Sequence, residues 1–404
     1  KNIQSFTWNN TVKKNINFIE NELVHDDKYF RLGCISPVFS KCGIASYTKY
    51  LFSDIAEETV FFTPFYENEE QDKFSHLDTI PSWELGKTDE DLSLLKKQLL
   101  SEEITSVVIQ FNYGFFEFSH LSNLILNLKE MGLNIFVILH STLDPKTDVS
   151  KSLSNLVECF KKIDRLLVHT VNDLNRLKTL GLTENVTLFP HGFLDFYPES
   201  KNIFSSINSI FRKKLFNIAS YGFCLPNKGY RELILACNIL IKSGINLRLS
   251  IFSAIYSDEY YWVYEELNDL INELNLQKNI SIDTTYMKDE KTLNTLAGQD
   301  CIVLPYQNTG ESSSASVRHA IACNNNVLVT PSPVFDDVAT LVNYLPGFSH
   351  QEIAKGLENW FWESQKDQEE IYENALKRDK ILSERSFSKL SYRLISMIKS
   401  LELN

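Results

Sequence analysis

From residue 30 onward, short apolar runs rich in β-branched and aromatic residues take turns with longer stretches of helical periodicity. "FRLGCISPV" predicts a strand and "GIASYTKYLFSDIA" the helix that follows it. "TVFFTPF", "TSVVIQFN", "NIFVILHST", "RLLVHTV" and "NVTLFPHG" predict further strands. Between them, "SHLSNLILNLKEMG", "DVSKSLSNLVECFKKID" and "NDLNRLKTLG" predict helices, the first closed by Gly132, the last opened by Asn172 and closed by Gly181. Such alternation builds a parallel sheet with helices on its faces.

The rhythm lapses over 194–214, "LDFYPESKNIFSSINSIFRKK", which reads as a linker. A second cycle follows, with strands at "FNIASYGF", "NLRLSIFSAI", "ISIDTTYM", "CIVLPY" and "NVLVTPSP". Helices at "GYRELILACNILIKSG", "DEYYWVYEELNDLINELNL", "KDEKTLNTLAGQ" and "SSSASVRHAIACN" alternate with them. The predicted fold class is α/β, two tandem Rossmann-like domains over 29–195 and 196–380, with a closing helix over 381–404. Residues 1–28 read as a helical segment. Its "SFTWNNTVKKNINFIENEL" echoes "SFSKLSYRLISMIKSLEL" at the other end, so it is expected to be the tail of a preceding domain in a longer polypeptide. Two unrelated helices sharing three residues is the alternative.

Composition narrows the classes. At 404 residues the chain exceeds one ordinary domain. With 40 Lys and Arg against 52 Asp and Glu, the formal net charge of -12 speaks against a broad nucleic-acid-binding face and leaves room only for a local basic patch. Seven cysteines, scattered through apolar runs, have neither zinc-site spacing nor a compact disulfide framework. Buried free thiols are expected. No apolar run is long enough for a membrane span and nothing near Lys1 reads as a signal peptide, so the expected location is the cytoplasm, with peripheral contact at the inner membrane face left open.

Ligands of open α/β sheets bind beyond the carboxyl ends of the strands. Gly43 in "SPVFSKCGIASY" opens a helix there, where a backbone free of side chain and the helix dipole favour a phosphate; a plain βα turn is the bland alternative. His140 closes "VILHST", where a polar residue would face the cleft, a satisfied core or hinge histidine being the alternative, whereas His191 in "LFPHG" is read as a hinge residue. Lys228 in "YGFCLPNKGYRELI" supplies a point charge for a phosphate at a helix start, without the spacing of a P-loop; a solvated lysine before a helix is the bland alternative. In "LPYQNTGESSSASVRHAIACNNNVLVT", Glu311 and Ser312 to Ser314 form a helix start. The serines suit an anion, and the carboxylate suits sugar hydroxyls. Either Arg318 or His319, further along that helix, is expected to face the cleft.

Taken together these junctions resemble glycosyltransferase family 4, retaining enzymes of the GT-B fold, from about residue 30 to the end. The carriers are "CGIASY", "VILHST", "TLFPHG", "YGFCLPNKG" and "GESSSASVRHAIACNNNVLV", and bacterial polysaccharide and O-antigen mannosyltransferases look nearest. The resemblance implies two domains facing a cleft and a last helix crossing back to the first. It implies that Glu311 and His140 are catalytic, Glu311 on the donor-sugar hydroxyls and His140 beside the reacting sugar. Gly43, Lys228, Ser312, Ser313 and Arg318 are expected to hold the donor diphosphate. Two departures stand out. The family's second Glu, which usually binds the ribose, falls on His319, and the Arg that usually follows the phosphate-loop Gly falls on Phe223. His319 is expected to keep the ribose contact and Arg318 to restore the charge.

The implied activity moves a hexose, mannose being one candidate, from a GDP- or UDP-linked donor to a hydroxyl of a growing bacterial surface glycan. No metal and no other cofactor is expected. Expected partners are the nucleotide sugar, a glycan or lipid-linked acceptor, and further glycosyltransferase domains of the same polypeptide; nucleic acid is not among them. The competing expectation is a GT-B-shaped domain without catalysis, serving as a scaffold in a larger polysaccharide-synthesis protein.

Overall fold

The computed structural model describes residues 30–40, 42–65, 77–86, 91–146, 148–196, 215–309, 313–323, 326–363 and 378–402. The segment 1–28 and most of the linker therefore lie outside the described residues, as do Glu311 and Ser312.

The first domain runs β1 (Leu32–Ile35), α1 (Gly43–Leu51), β2 (Thr59–Pro64), β3 (Thr79–Trp83), α2 (Ser93–Ser101), β4 (Ser106–Phe111) and α3 (Phe118–Glu130). It continues with β5 (Asn134–Leu139), α4 (Val157–Phe160), β6 (Arg165–Val168), α5 (Val171–Thr179) and β7 (Val186–Leu188). The second domain runs β8 (Phe216–Phe223), α6 (Tyr230–Lys242), β9 (Leu247–Ala254), α7 (Tyr261–Glu273), β10 (Ile280–Asp283) and α8 (Asp289–Ala297). After these come β11 (Cys301–Leu304), α9 (Ala315–Ala322), β12 (Asn326–Val329), β13 (Asn343–Tyr344) and α10 (His350–Glu363), and α11 (Phe387–Glu402) ends the chain.

The strands pair in parallel into a seven-stranded sheet, β3-β2-β1-β4-β5-β6-β7, and a six-stranded sheet, β10-β9-β8-β11-β12-β13. Strand order reverses between β1 and β4 in one sheet and between β8 and β11 in the other, and such switch points open the crevice in which α/β proteins bind ligands. The two-domain α/β architecture expected from the sequence is present.

Alternate residues of the first sheet feed opposite layers. Val107, Ile109, Ile135 and Val137 pack under α2 and α3, whereas Leu32, Cys34, Val108, Phe136 and Ile138 face the other way. That second face is closed by Tyr47 and Leu51 of α1 together with Phe387, Leu390, Leu394 and Ile398 of α11, so the last helix does cross back onto the first domain. Each such buried side chain contributes about 1.5–3 kcal/mol. Phe193 and Ser386 join by a backbone bridge where the chain passes between domains in both directions.

Three local expectations change. β3 and α2 were not anticipated; in β3 Pro81 interrupts the strand pattern of "TIPSW", and the strand survives at the sheet edge, where proline is tolerated. The helix predicted over "DVSKSLSNLVECFKKID" is broken into short 3-10 turns before α4. Asp148 and Ser152 there bond the nearby backbone N–H groups of Ser150 and Ser154, in competition with a continuous helix. The cap of α5 is Thr170 rather than Asn172: its hydroxyl and the Asp173 carboxylate form a reciprocal capping box. Described cysteines are free thiols, all buried except the half-buried Cys42.

Candidate functional site

Between the carboxyl edges of the two sheets lies a cavity of about 450 Å³, lined from both domains, a size that suits a small-molecule ligand. On the first domain, Cys42 caps α1, its sulfur accepting from the Ala45 N–H at 3.4 Å. A Cβ built on Gly43 would lie 4.0 Å from that of Ala315, so the start of α1 faces the start of α9 across the cleft. Two helix N-termini, each carrying a partial positive charge, thus converge from opposite domains.

Ser314 caps α9 through its hydroxyl, which accepts from the Val317 N–H at 3.3 Å and lies 3.2 Å from the Tyr306 hydroxyl. Ser313 lines the cavity beside it. Lys228 is buried, with Nζ 4.0 Å from the centre of the Tyr306 ring. Its position depends on Gly229, whose φ of 70° is left-handed and where an added Cβ would fall 1.9 Å from the Pro305 carbonyl oxygen. Lys228 is the one Lys or Arg among the described residues that line the cavity.

The structure turns His319 and not Arg318 into the cleft. Arg318 is 3% exposed, donates to the Ser314 carbonyl at 2.6 Å, pairs with Asp337 and lies over the Phe193 ring. It does not line the cavity, so the positive charge expected from it for a diphosphate is spent on a buried ion pair at the domain junction. Phe223, where the resembled family carries Arg, lines the cavity together with Tyr256 and Tyr286, their ring centres 5.3 and 6.4 Å from its own.

His319 donates from Nδ1 to the Ala315 carbonyl at 2.9 Å and from Nε2 to Asp289 Oδ1 at 3.0 Å. Both partners are pure acceptors, so both ring nitrogens carry protons and the ring is an imidazolium. Burial alone lowers the His319 pKa, but Asp289 and the Ala315 carbonyl outweigh it and raise it above the ordinary value. Burial likewise opposes the charge on Asp289, yet His319, Tyr50 and Lys49 together hold its pKa at about 2. Tyr50, from α1 of the first domain, donates its hydroxyl to Asp289 Oδ2.

His140 lines the cavity at the end of β5, with Nε2 2.7 Å from the Gln110 side-chain amide and Nδ1 3.4 Å from His169 Nε2. Burial, with His169 second, pushes its pKa well below the ordinary value, so it is neutral. Tyr47 stands at the centre of this corner, its ring 4.9, 5.3 and 4.8 Å from those of His140, His169 and His191. His191, read as a hinge residue, also reaches the cavity wall, and its Nδ1 donates to its own neighbour's carbonyl, Gly192, at 3.0 Å.

Asp289, Tyr50, Tyr47 and His169 were missed in the sequence. Each lies inside a segment read only as a helix or a strand, Asp289 in "KDEKTLNTLAGQ", Tyr47 and Tyr50 in "GIASYTKYLFSDIA" and His169 in "RLLVHTV". Among the described residues, no set of three His, Cys, Asp or Glu side chains is arranged to hold a metal ion, and no helix is long and apolar enough to cross a membrane.

No family model matches the chain, and no curated protein matches it in sequence. Solved structures do match in fold. HepE of Anabaena, in complex with UDP and glucose, aligns with a TM-score of 0.70 at 12% identity over 92% of this chain and 100% of that one. A glycosyltransferase from Rickettsia africae gives 0.71 at 14% identity over 93% and 100%. Sucrose-phosphate synthase from Thermosynechococcus elongatus gives 0.72 at 13% identity over 93% and 100%. The chain is similar to these GT-B proteins in its whole two-domain architecture.

Proposed function

We propose that the protein is a retaining hexosyltransferase that moves a sugar from a nucleoside diphosphosugar to an acceptor hydroxyl. One observation carries the reading: the N-termini of α1 and α9 converge from two domains on a single cavity that also holds the buried Lys228. Amide dipoles and a fixed ammonium stabilise charge that grows on a departing diphosphate, and they need no reorganisation as it grows. The His319 ring faces the same cavity, but both its protons are spent on Ala315 and Asp289, so the charge expected of Arg318 falls to Lys228 and the two helix starts.

Neutral His140, its ring nitrogens held by Gln110 and His169, offers an uncharged wall beside the sugar, and Glu311, just before the described start of α9, is assigned to the sugar hydroxyls. HepE was solved with UDP and glucose, which favours a UDP-linked donor over a GDP-linked one. The acceptor is proposed to be a glycan of a bacterial surface polymer, reached in the cytoplasm, and the transfer to run without a metal.

Phe223 favours a second reading, a nucleotide-binding module that supports a larger synthetic assembly, since it removes a cation from the leaving-group side. A donor-hydrolysis and transfer screen over UDP- and GDP-hexoses separates the two. The transferase reading expects turnover with at least one donor, and its loss in Glu311→Ala with the fold intact by circular dichroism. Nucleotide binding without turnover on any donor supports the module, and full activity of Glu311→Ala removes the central residue of the transferase assignment.

A further inference from the structure

We infer that Asp289, held in place by His319, is the residue that reads the ribose hydroxyls of the bound nucleotide. The inference deepens the proposed function and rests on that nucleotide-sugar reading.

Asp289 is the one carboxylate among the described residues lining the cavity. A carboxylate repels phosphate and accepts from hydroxyls, so its ligand partner is a sugar hydroxyl and not the diphosphate. Its two oxygens offer about four lone-pair sites. His319 takes one on Oδ1 and Tyr50 one on Oδ2, leaving one on each oxygen, the arrangement a vicinal diol matches.

The place in the cavity selects ribose over hexose. The anion end is fixed by Lys228 and the start of α9 at Ala315, and His319 lies four residues further along that helix, about 6 Å by helical rise. On the other side of Asp289 the chain leads directly back to Met287 and Tyr286, which line the cavity with Phe223, a wall of rings suited to a planar base. A sugar that joins a base on that wall to a phosphate at the helix start is the nucleoside's own. His319 contributes by position: its second proton bonds the Ala315 carbonyl, which fixes the ring, and Nε2 then fixes the carboxylate.

Isothermal titration of the full chain with UDP, GDP and ADP, followed by the 2′,3′-dideoxy form of whichever binds, tests the assignment. The wild-type protein is expected to bind the ribonucleotide about 10- to 100-fold more tightly than the dideoxy form. Asp289→Asn is expected to bring the ribonucleotide down to the dideoxy affinity while leaving the dideoxy affinity in place. Equal weakening of both forms, or wild-type protein that does not discriminate, overturns the inference while nucleotide binding itself still stands. Should Asp289→Asn leave UDP untouched and weaken only UDP-glucose, the carboxylate reads the hexose and the ribose assignment falls. Absence of binding to all three nucleoside diphosphates overturns the proposed function and this inference together. The wild-type comparison needs no variant to fold.

Discussion

Tyr50 donates its hydroxyl to Asp289 across the cleft, joining residues 239 positions apart on helices of different domains. Asp289 is thereby held from both sides, by Tyr50 of the first domain and by His319 of the second. A group that faces the ligand cavity is in this way also part of what holds the two domains together.

Tyr50→Phe keeps the ring and deletes the hydrogen bond. A hydrogen bond to a charged group contributes about 1.5–3 kcal/mol, so denaturant unfolding is expected to show a loss of that size. In a double-mutant cycle with Asp289→Asn the two losses should fall short of adding, with a coupling of about 0.5–3 kcal/mol. Strict additivity would mean that the two side chains do not interact in solution.

Arg318→Met is expected to damage stability and not binding. The guanidinium is buried, and its partner Asp337 is left with Arg385 at 3.8 Å once Arg318 is gone. Breaking a buried pair from one side costs about 3–5 kcal/mol, with the lower end expected here because Arg385 remains. Replacing both partners, Arg318→Met with Asp337→Leu, should recover most of the loss. Nucleotide affinity per folded molecule should stay within about twofold of wild type, since Arg318 lies outside the cavity wall. A large fall in affinity with unchanged unfolding would return Arg318 to the ligand.

The pair Arg318 and His319 also marks how far the sequence carries. Strand periodicity and the turns that follow located the cavity's first-domain and second-domain walls, because Gly43, His140, Lys228 and Ser313 all stand at junctions that a parallel sheet must place at one edge. Choosing between adjacent helical residues is a different problem. They point about 100° apart, and what decides is the partner: Asp337, 19 positions on, takes Arg318, and Asp289, 30 positions back, takes His319. Neither partnership leaves a periodic trace. The same holds for Tyr47, whose ring gathers three histidines from separate strand ends, and for Tyr50, whose acceptor belongs to the other domain.

The His319 and Asp289 pair predicts a pH profile with a definite direction. His319 has a raised folded pKa, so its stabilising charge is fully present below the unfolded value of about 6.5 and is lost as pH climbs through the folded value. Asp289 is depressed to about 2, so its contribution is present above the unfolded value of about 3.8 and fades only as pH falls toward 2. Between about pH 4 and 6.5 both charges stand, and the pair weakens on the alkaline side. Groups around it act in the same sense or hold steady: Lys49 supports the carboxylate, Tyr50 donates to it, and Tyr221, packed against the His319 ring, has a raised pKa and stays neutral. Nucleotide affinity, followed by titration from pH 5 to pH 9, should therefore be flat at first and then decline above the raised His319 value. His319→Gln retains an N–H donor without a titrating charge and should abolish that decline. A profile of the same shape in the variant would place the alkaline titration on some other group.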